Sequence, residues 1–338
     1  MKYSWVKNVC VIDSIHAFLQ YLLLVSEFDA NHTFYFWGDG ISAEIKRQFD
    51  GRYENMKKKE KYSWIKILSD FPFLLKNNIK YWGHDHLPWS KYIIRNHDFE
   101  LLEDGTLNYS SYPWRFKSSL KRRFFALWEG PLSCLDIPYS GFEKNCVRIN
   151  LTGLMDSGEV YSSSKTLVNS FQTLWNQSED SKKHYINKIF GLDNEIFKQL
   201  KSKKRILLTQ PFSEDGFLTE DEKISVYSKI IEVIGKDVVI KRHPREKTCY
   251  ENYFPEVSVF DRAIPMQLIM LNGIRFEEAY TIFSSAVLGF PYKIRVGFIG
   301  SQISQKLLKR FPAQTYMNFH CSDKNVEMID IKLEKLCD

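Results

Sequence analysis

Short apolar runs of strand length alternate with amphipathic helix-length segments in two separate stretches of this chain, and no other feature limits its fold as much. In the first stretch Asn8–Asp13 reads as a buried strand. A helix follows from Ser14, placed as its N-cap, to about Phe28, and His32–Trp37 forms a second strand closed by Gly38-Asp39-Gly40. Strand–helix–strand at this spacing is a β-α-β unit and predicts a parallel sheet. Helices are expected over Ile41–Phe49 and Ser63–Lys76 and from Pro88, with strands at Ile79–Gly83 and Phe99–Leu102. The second stretch starts with strand Arg205–Thr209. A helix from Thr219 to Ile234 comes next, its Thr219 and Glu222 spaced as a capping box. Strands Val238–Lys241 and Val257–Phe260, helix Met266–Leu271 and strand Ala279–Ile282 complete the pattern. Between the stretches, roughly 106–200, the pattern gives only two helices, near 115–128 and 163–200.

The chain has 338 residues, enough for two domains of roughly 150–200 residues, and the pattern divides it into 1–200 and 201–338. A content of 44% hydrophobic and 26% charged residues excludes a disordered chain. Aromatic residues make up 15%, which suits a large core and also the faces that hold sugars. The six cysteines form no C-x-x-C pair and have no zinc-ligand spacing with histidine, so free thiols in a reducing compartment are expected. The apolar run Ile15–Val25 contains His16 and Gln20 and is too short to span a bilayer; with a polar start, this predicts a cytoplasmic protein.

Net charge is +6, with basic clusters at Lys57–Lys61, Lys117–Arg123, Lys182–Lys183 and Lys201–Arg205. No nucleic-acid recognition motif accompanies them, so nucleic acid is not an expected partner. Lys121-Arg122-Arg123-Phe124-Phe125, with Trp128 close behind, mixes cations and aromatics. That mixture suits peripheral contact with the cytoplasmic face of the inner membrane, and equally a solvated helix face over a core.

Four polar clusters fall just after strands, where open parallel sheets bind their ligands. Lys241-Arg242-His243-Pro244-Arg245-Glu246 puts a histidine in extended geometry before proline, among phosphate-binding cations; a basic surface turn has the same composition. Ser284-Ser285 offers small hydroxyls at the start of a turn or helix, a phosphate seat or an ordinary N-cap. Glu103-Asp104-Gly105 and Glu214-Asp215-Gly216 each hold a carboxylate able to act as general base beside a glycine that permits close approach, and each also reads as a plain turn. His84-Asp85-His86 is the nearest approach to a metal motif; a cleft-loop role in acceptor binding is the preferred reading, and no metal site is expected.

Taken in order, the acidic-acidic-glycine motif, His-Pro and paired serines resemble the bacterial sialyltransferases of glycosyltransferase families 38, 52 and 80. Leu208-Thr209-Gln210-Pro211-Phe212-Ser213-Glu214-Asp215-Gly216, Lys241–Glu246 and Thr281-Ile282-Phe283-Ser284-Ser285-Ala286 look most like family 52, which includes lipooligosaccharide and capsule sialyltransferases. The likeness is strongest over about 204–290, looser over 1–110, where Phe99–Tyr109 fits, and silent over about 110–200.

The resemblance implies an α/β GT-B architecture, two Rossmann-like domains with a cleft between them. The N-terminal domain would face the acceptor and the C-terminal domain would hold the CMP-sugar. It implies CMP-sialic acid as donor substrate, a galactose-type acceptor on a surface glycan, inversion, and neither metal nor cofactor. Chemistry is consistent with that, since a single phosphate can be neutralised by His, Lys and hydroxyl donors alone. The histidine matching His243 would contact the donor phosphate and help CMP depart, and the serines matching Ser284 and Ser285 would bind the same phosphate. Gln210, Pro211, Gly216, Lys241, Pro244, Arg245, Ile264, Pro265 and Glu278 complete the expected donor site, with Ile264-Pro265 facing cytosine and Glu278 the ribose. His84, Asp85, His86 and Glu103 are expected on the acceptor. Two acidic motifs leave two candidate bases: domain logic favours Asp104, and Asp215, close to the His-Pro loop, is its rival. Family members can be dimers, which leaves a homodimer open. The alternatives are another nucleotide-sugar transferase, since family 52 also holds glucosyltransferases, and a non-catalytic basic binding protein.

Overall fold

The computed structural model describes residues 3–56, 69–109, 141, 143–154, 164–312 and 326–329. The basic runs Lys57–Lys61 and Lys117–Arg123, the Lys121–Trp128 segment, the helix expected near 115–128, and Cys134, Cys321 and Cys337 lie outside the described residues. So does most of the helix expected at Ser63–Lys76; its described part is α-helical at Ser69-Asp70 and ends in a 3₁₀ turn, Pro72–Leu75.

The chain divides into two compact units, Met1–Ile186 and Asn187–Asp338. In the first, β1 (Asn8–Ile12), β2 (Thr33–Trp37), β3 (Tyr53–Asn55), β4 (Lys80–Gly83), β5 (Phe99–Leu102), β6 (Cys146–Leu151) and β7 (Thr166–Val168) form one sheet, ordered β3-β2-β1-β4-β5-β6-β7. All its pairings are parallel. In the second, β8 (Arg205–Leu208), β9 (Val239–Lys241), β10 (Ser258–Phe260), β11 (Glu278–Thr281), β12 (Ile294–Phe298) and β13 (Val326–Met328) are ordered β10-β9-β8-β11-β12-β13, again all parallel. Both are doubly wound sheets. The strand order reverses at β1/β4 in one unit and at β8/β11 in the other, and ligands of such sheets bind at that switch, outside the carboxyl ends.

The central strands are apolar because both faces are covered: every residue of β1 and β2 is buried. The aromatic residues serve this core, with Phe34, Phe36, Phe71, Phe73 and Trp89 packed together on one side of the first sheet. The helix after β1 is shorter than its pattern predicts. Ser14 caps it at Ala17, but it stops at Leu24, and Ser26 starts a separate turn, Glu27–Asn31, by accepting from the Asp29 amide. A second N-capping serine thus overrides continuous apolar periodicity. The segment expected as one helix over 163–200 is strand β7 and three helices, Phe171–Gln177, Asp180–Phe190 and Asn194–Lys201. Ser170 and Asp193 cap the first and last of these. The helix Glu220–Ile234 carries the expected Thr219–Glu222 capping box. No described helix is long and apolar enough to cross a membrane. Among the described cysteines, Cys10 and Cys146 are buried free thiols and Cys249 is an exposed one.

Candidate active site

In the second unit the loops after β8, β9 and β11 are fastened into one assembly. Adjacent strands lie about 4.8 Å apart, so the carboxyl ends of β9, β8 and β11 fall within about 10 Å. Gln210 Oε1 accepts the Phe283 amide at 3.1 Å, bridging the switch between β8 and β11. Arg245 holds Asp215 with both guanidinium nitrogens, at 2.5 and 3.0 Å, and so ties the loop after β9 to the loop after β8. Gly216 adopts φ +74°, with nothing close to where a Cβ would stand; conformation rather than space requires glycine there.

His243 follows β9 by two residues. Its backbone amide donates to Glu246 Oε2 at 2.7 Å, and its Nδ1 accepts the Arg245 amide at 3.2 Å. With Nδ1 an acceptor, the neutral ring carries its hydrogen on Nε2. Burial pushes the imidazole pKa down to about 4, aided by Arg245 and Lys241 and opposed by Asp215 and Glu214. The loop therefore presents a neutral donor in a cationic setting, suited to an anionic oxygen. Ser284 Oγ accepts the Ala286 amide, while its hydroxyl hydrogen is left to donate. The element it caps is one 3₁₀ turn, Ser285–Leu288, rather than a helix, so no helix dipole contributes. The side chain of Ser285 is not among those described.

A buried lysine missed in the sequence supports the loops after β8 and β9. Lys223, wholly buried, reaches Glu214 at 3.0 Å, Glu220 at 3.4 Å and Glu246 at 3.7 Å. Glu246 also accepts from Thr209 and Tyr250, and burial raises its pKa. The only signal in the sequence was a lysine on the face that the helix buries. Lys241, the last residue of β9, is buried with its Nζ 5.5 Å from the Phe260 ring; burial lowers its pKa to about 8, against the pull of Glu246. Glu278 does not face this crevice. It is the first residue of β11, at the opposite end of the strand, and binds Arg295 at 2.9 Å and the Tyr280 hydroxyl. Ile264 is fully buried and Pro265 precedes the helix Met266–Leu271, so only backbone is available to a base there.

The first unit gathers a second set at its own switch. Asp13 follows β1, His84 and His86 follow β4, and Asp104 follows β5. His84 Nδ1 is 3.4 Å from Asp13, and its Nε2 is 3.8 Å from Asp104; His86 Nε2 is 3.5 Å from Asp104. The two rings lie nearly parallel, 5.4 Å apart. Burial acts to lower the His84 pKa, but Asp104, Asp13 and Asp85 outweigh it and lift the ring to about 8. Burial and the His84 charge push His86 down. Gly83 makes the turn possible: at φ +128° its backbone lies so close to Val11 that a Cβ would run into the Val11 carbonyl. Asp13 was missed, although a lone carboxylate after the first strand of a doubly wound sheet is a signal in itself.

Three residues expected on an acceptor turn inward instead; one is His84, whose ring has no exposed surface and faces Asp13 and Asp104. Glu103 is completely buried; its oxygens take the His16 ring at 3.0 Å, the Tyr109 hydroxyl at 2.5 Å, and the Thr152 amide and hydroxyl at 2.6 and 2.7 Å. No lone pair is left for a sugar, and Glu103 anchors the loop that carries Asp104. Asp85 is 2% exposed and holds the Gly141 amide at 2.8 Å, which makes it a brace as well. Asp13, His86 and Asp104 are the partly exposed members of the set, and His84 is the buried one.

The model of glycosyltransferase family 52 matches residues 39–307. An uncharacterized protein of Haemophilus influenzae is 32% identical over 321 residues, covering 90% of this chain and 98% of its own. Among solved structures, the GT-B domain of a Photobacterium damselae sialyltransferase superposes with a TM-score of 0.53 at 15% identity, over 95% of this chain and 99% of that one. A 2,6-sialyltransferase of Photobacterium sp. JT-ISH-224, solved with CMP and lactose, gives a TM-score of 0.61 at 11% identity, over 95% and 78%. An alpha-2,3-sialyltransferase of Photobacterium phosphoreum gives 0.56 at 12%, over 95% and 98%. The two parallel doubly wound sheets are thus those of the GT-B fold.

Proposed function

The chain belongs to glycosyltransferase family 52 and is a glycosyltransferase, and from that premise we propose that it moves sialic acid from CMP-sialic acid to a galactose-type hydroxyl of a surface glycan, with inversion and without a metal. The observation that supports this best is the His243 loop. A neutral imidazole with its hydrogen on Nε2, set among Lys241, Arg245 and Ser284, suits one phosphate rather than two. In the proposed reaction the acceptor oxygen attacks the anomeric carbon opposite the phosphate. The bond from that carbon to the phosphate oxygen breaks as the new one forms, which inverts the centre. His243 Nε2–H and the Ser284 hydroxyl stabilise the charge that collects on CMP. The hydroxyl proton passes to a carboxylate; we assign Asp104, because the oxygens of Asp215 are held by Arg245. The galactose class of the acceptor, its place in lipooligosaccharide or capsule, and a homodimer rest on the family likeness; work at the cytoplasmic face of the inner membrane rests on the mixed cations and aromatics of Lys121–Trp128 in the sequence.

Incubation with CMP-sialic acid and a panel of galactosides, read by mass spectrometry, should show a single sialic acid added, undiminished in excess EDTA. CMP, but not UDP, should protect the fold against heat. Transfer of a hexose from a UDP-sugar instead would make the chain a different nucleotide-sugar transferase.

A further inference from the structure

The four side chains at the first unit's switch point are more than a hydrogen-bonded loop. With one donor atom from each, Asp13, His84, His86 and Asp104 lie within 4.8 Å of one another. They come from the ends of three adjacent strands, β1, β4 and β5, which hold them on a rigid frame. Tetrahedral zinc, with ligands at about 2.0–2.2 Å, separates its donors by roughly 3.3–3.6 Å. The distances His84–Asp13, 3.4 Å, and His86–Asp104, 3.5 Å, are already in that range.

His84 supplies an independent sign. Its ring is fully buried, and its two nitrogens meet only the Asp13 and Asp104 carboxylates, in loose ion-pair contacts at 3.4 and 3.8 Å rather than well-formed hydrogen bonds. A buried imidazole held only by such loose contacts is under-satisfied, and a ligand between it and the carboxylates would complete its coordination. Its surroundings also resemble a supporting shell. Ser90 donates to the His84 carbonyl, Asn108 accepts the Asp104 amide at 2.5 Å, and Asp85 is locked by Gly141. Such partners fix ligand orientation before an ion arrives.

We propose that Asp13, His84, His86 and Asp104 form a binding site for a zinc-class divalent cation. Two imidazoles and two carboxylates match zinc or cobalt better than magnesium or calcium, which favour all-oxygen shells. The ion is not part of the transfer reaction. It engages Asp104, the carboxylate assigned to the acceptor's proton, so its expected consequence is inhibition that acceptor relieves and donor does not. That consequence rests on the proposed function; the binding itself does not.

The test is equilibrium dialysis of the full chain, stripped with EDTA and desalted, against zinc chloride. One saturable ion per chain is expected. Asp13→Asn and His86→Ala should each weaken it by roughly tenfold to a hundredfold, and Cys249→Ser, which removes the exposed thiol, should not. Cobalt in place of zinc should give visible ligand-field bands without thiolate charge transfer. Zinc binding unchanged in both ligand variants, a thiolate signature, or no saturable binding would each overturn the site. If dialysis succeeds and no sialic acid transfer is found, the site stands and the proposed function falls. Transfer without zinc binding has the opposite meaning.

Discussion

Glu103-Asp104-Gly105 follows β5 in the first unit, and Glu214-Asp215-Gly216 lies in the loop after β8 in the second. Both end on a left-handed glycine, at φ +56° and +74°. In both, the glutamate turns inward: Glu103 to His16, Tyr109 and Thr152, Glu214 to Lys223 and the Lys247 amide. In both, the aspartate is the outward member, 22% exposed at Asp104 and 27% at Asp215, so exposure does not separate the two. Their partners do. Asp104 stands beside two imidazoles at 3.5 and 3.8 Å, whereas both oxygens of Asp215 are gripped by one guanidinium. A bidentate arginine pair is a fixed joint between loops. A carboxylate at looser distances from imidazoles keeps lone pairs for a proton. The same three residues thus yield a fixed joint in one unit and a loosely held carboxylate, the base of the proposed reaction, in the other, and the neighbours decide which.

The largest effect expected from this difference is on turnover. Asp104→Asn keeps the shape and removes the proton acceptor, so kcat should fall by about 10²–10⁴-fold with CMP affinity almost unchanged. Asp215→Asn should weaken CMP binding by loosening the Arg245 joint and should lower kcat less. Steady-state kinetics with CMP titrations on folded variants check this. The reverse ranking at equal CMP affinity would move the base to Asp215.

The glutamates should differ in stability. In Glu103→Gln an amide NH₂ meets donors from His16, Tyr109 or Thr152 inside the fold, so at least one buried partner is left unsatisfied, at a cost of about 2–3 kcal/mol. Glu214→Gln leaves Lys223 with Glu220 and Glu246, and should cost about 1 kcal/mol. Urea unfolding measures both. Equal losses would mean that the two anchors are equivalent.

Much of this contrast lay beyond the sequence. The strands that frame both crevices were legible because buried parallel strands are apolar runs, and the His-Pro loop and both acidic motifs sit where such strands end. Strands β6 and β7 were not legible: Arg148 interrupts the apolar run of one, and the other is three residues at a sheet edge. The roles inside the motifs were hidden for a different reason. Glu103 and Asp104 are neighbours with opposite directions, and only tertiary partners 49 or 87 residues away in sequence decide which is anchor. Likewise Glu278 looked close to the crevice, while its position at the start of β11 removes it by the length of the strand.

A smaller effect ties the second loop to the donor. His243 has a pKa of about 4, lowered by burial, Arg245 and Lys241 and raised by Asp215 and Glu214. A phosphate beside it would raise that value. Between the two values binding takes up a proton, so affinity grows as pH falls. A non-hydrolysable CMP-sugar has a phosphodiester that does not itself titrate in this range. Its affinity should rise severalfold from pH 7 to pH 5 by calorimetry, and the slope should vanish in His243→Gln. A slope that survives the substitution would separate His243 from the phosphate.

The smallest effect belongs to the opposite edge of the second sheet. Glu278 pairs there with Arg295, itself 55% exposed, and with the Tyr280 hydroxyl. Exposed pairs of this kind contribute about 0–1 kcal/mol. A β11 of four residues puts Glu278 about 10 Å from Thr281, where the crevice begins. Glu278→Gln keeps the size of the side chain and a hydrogen-bond acceptor for Tyr280. Donor KM and kcat should therefore both stay within about twofold of wild type, with a loss of stability near the low end of that range. A rise in donor KM with kcat unchanged would be the mark of a lost ground-state contact. It would put the ribose at the amino ends of the strands, against the rule that places ligands at their carboxyl ends.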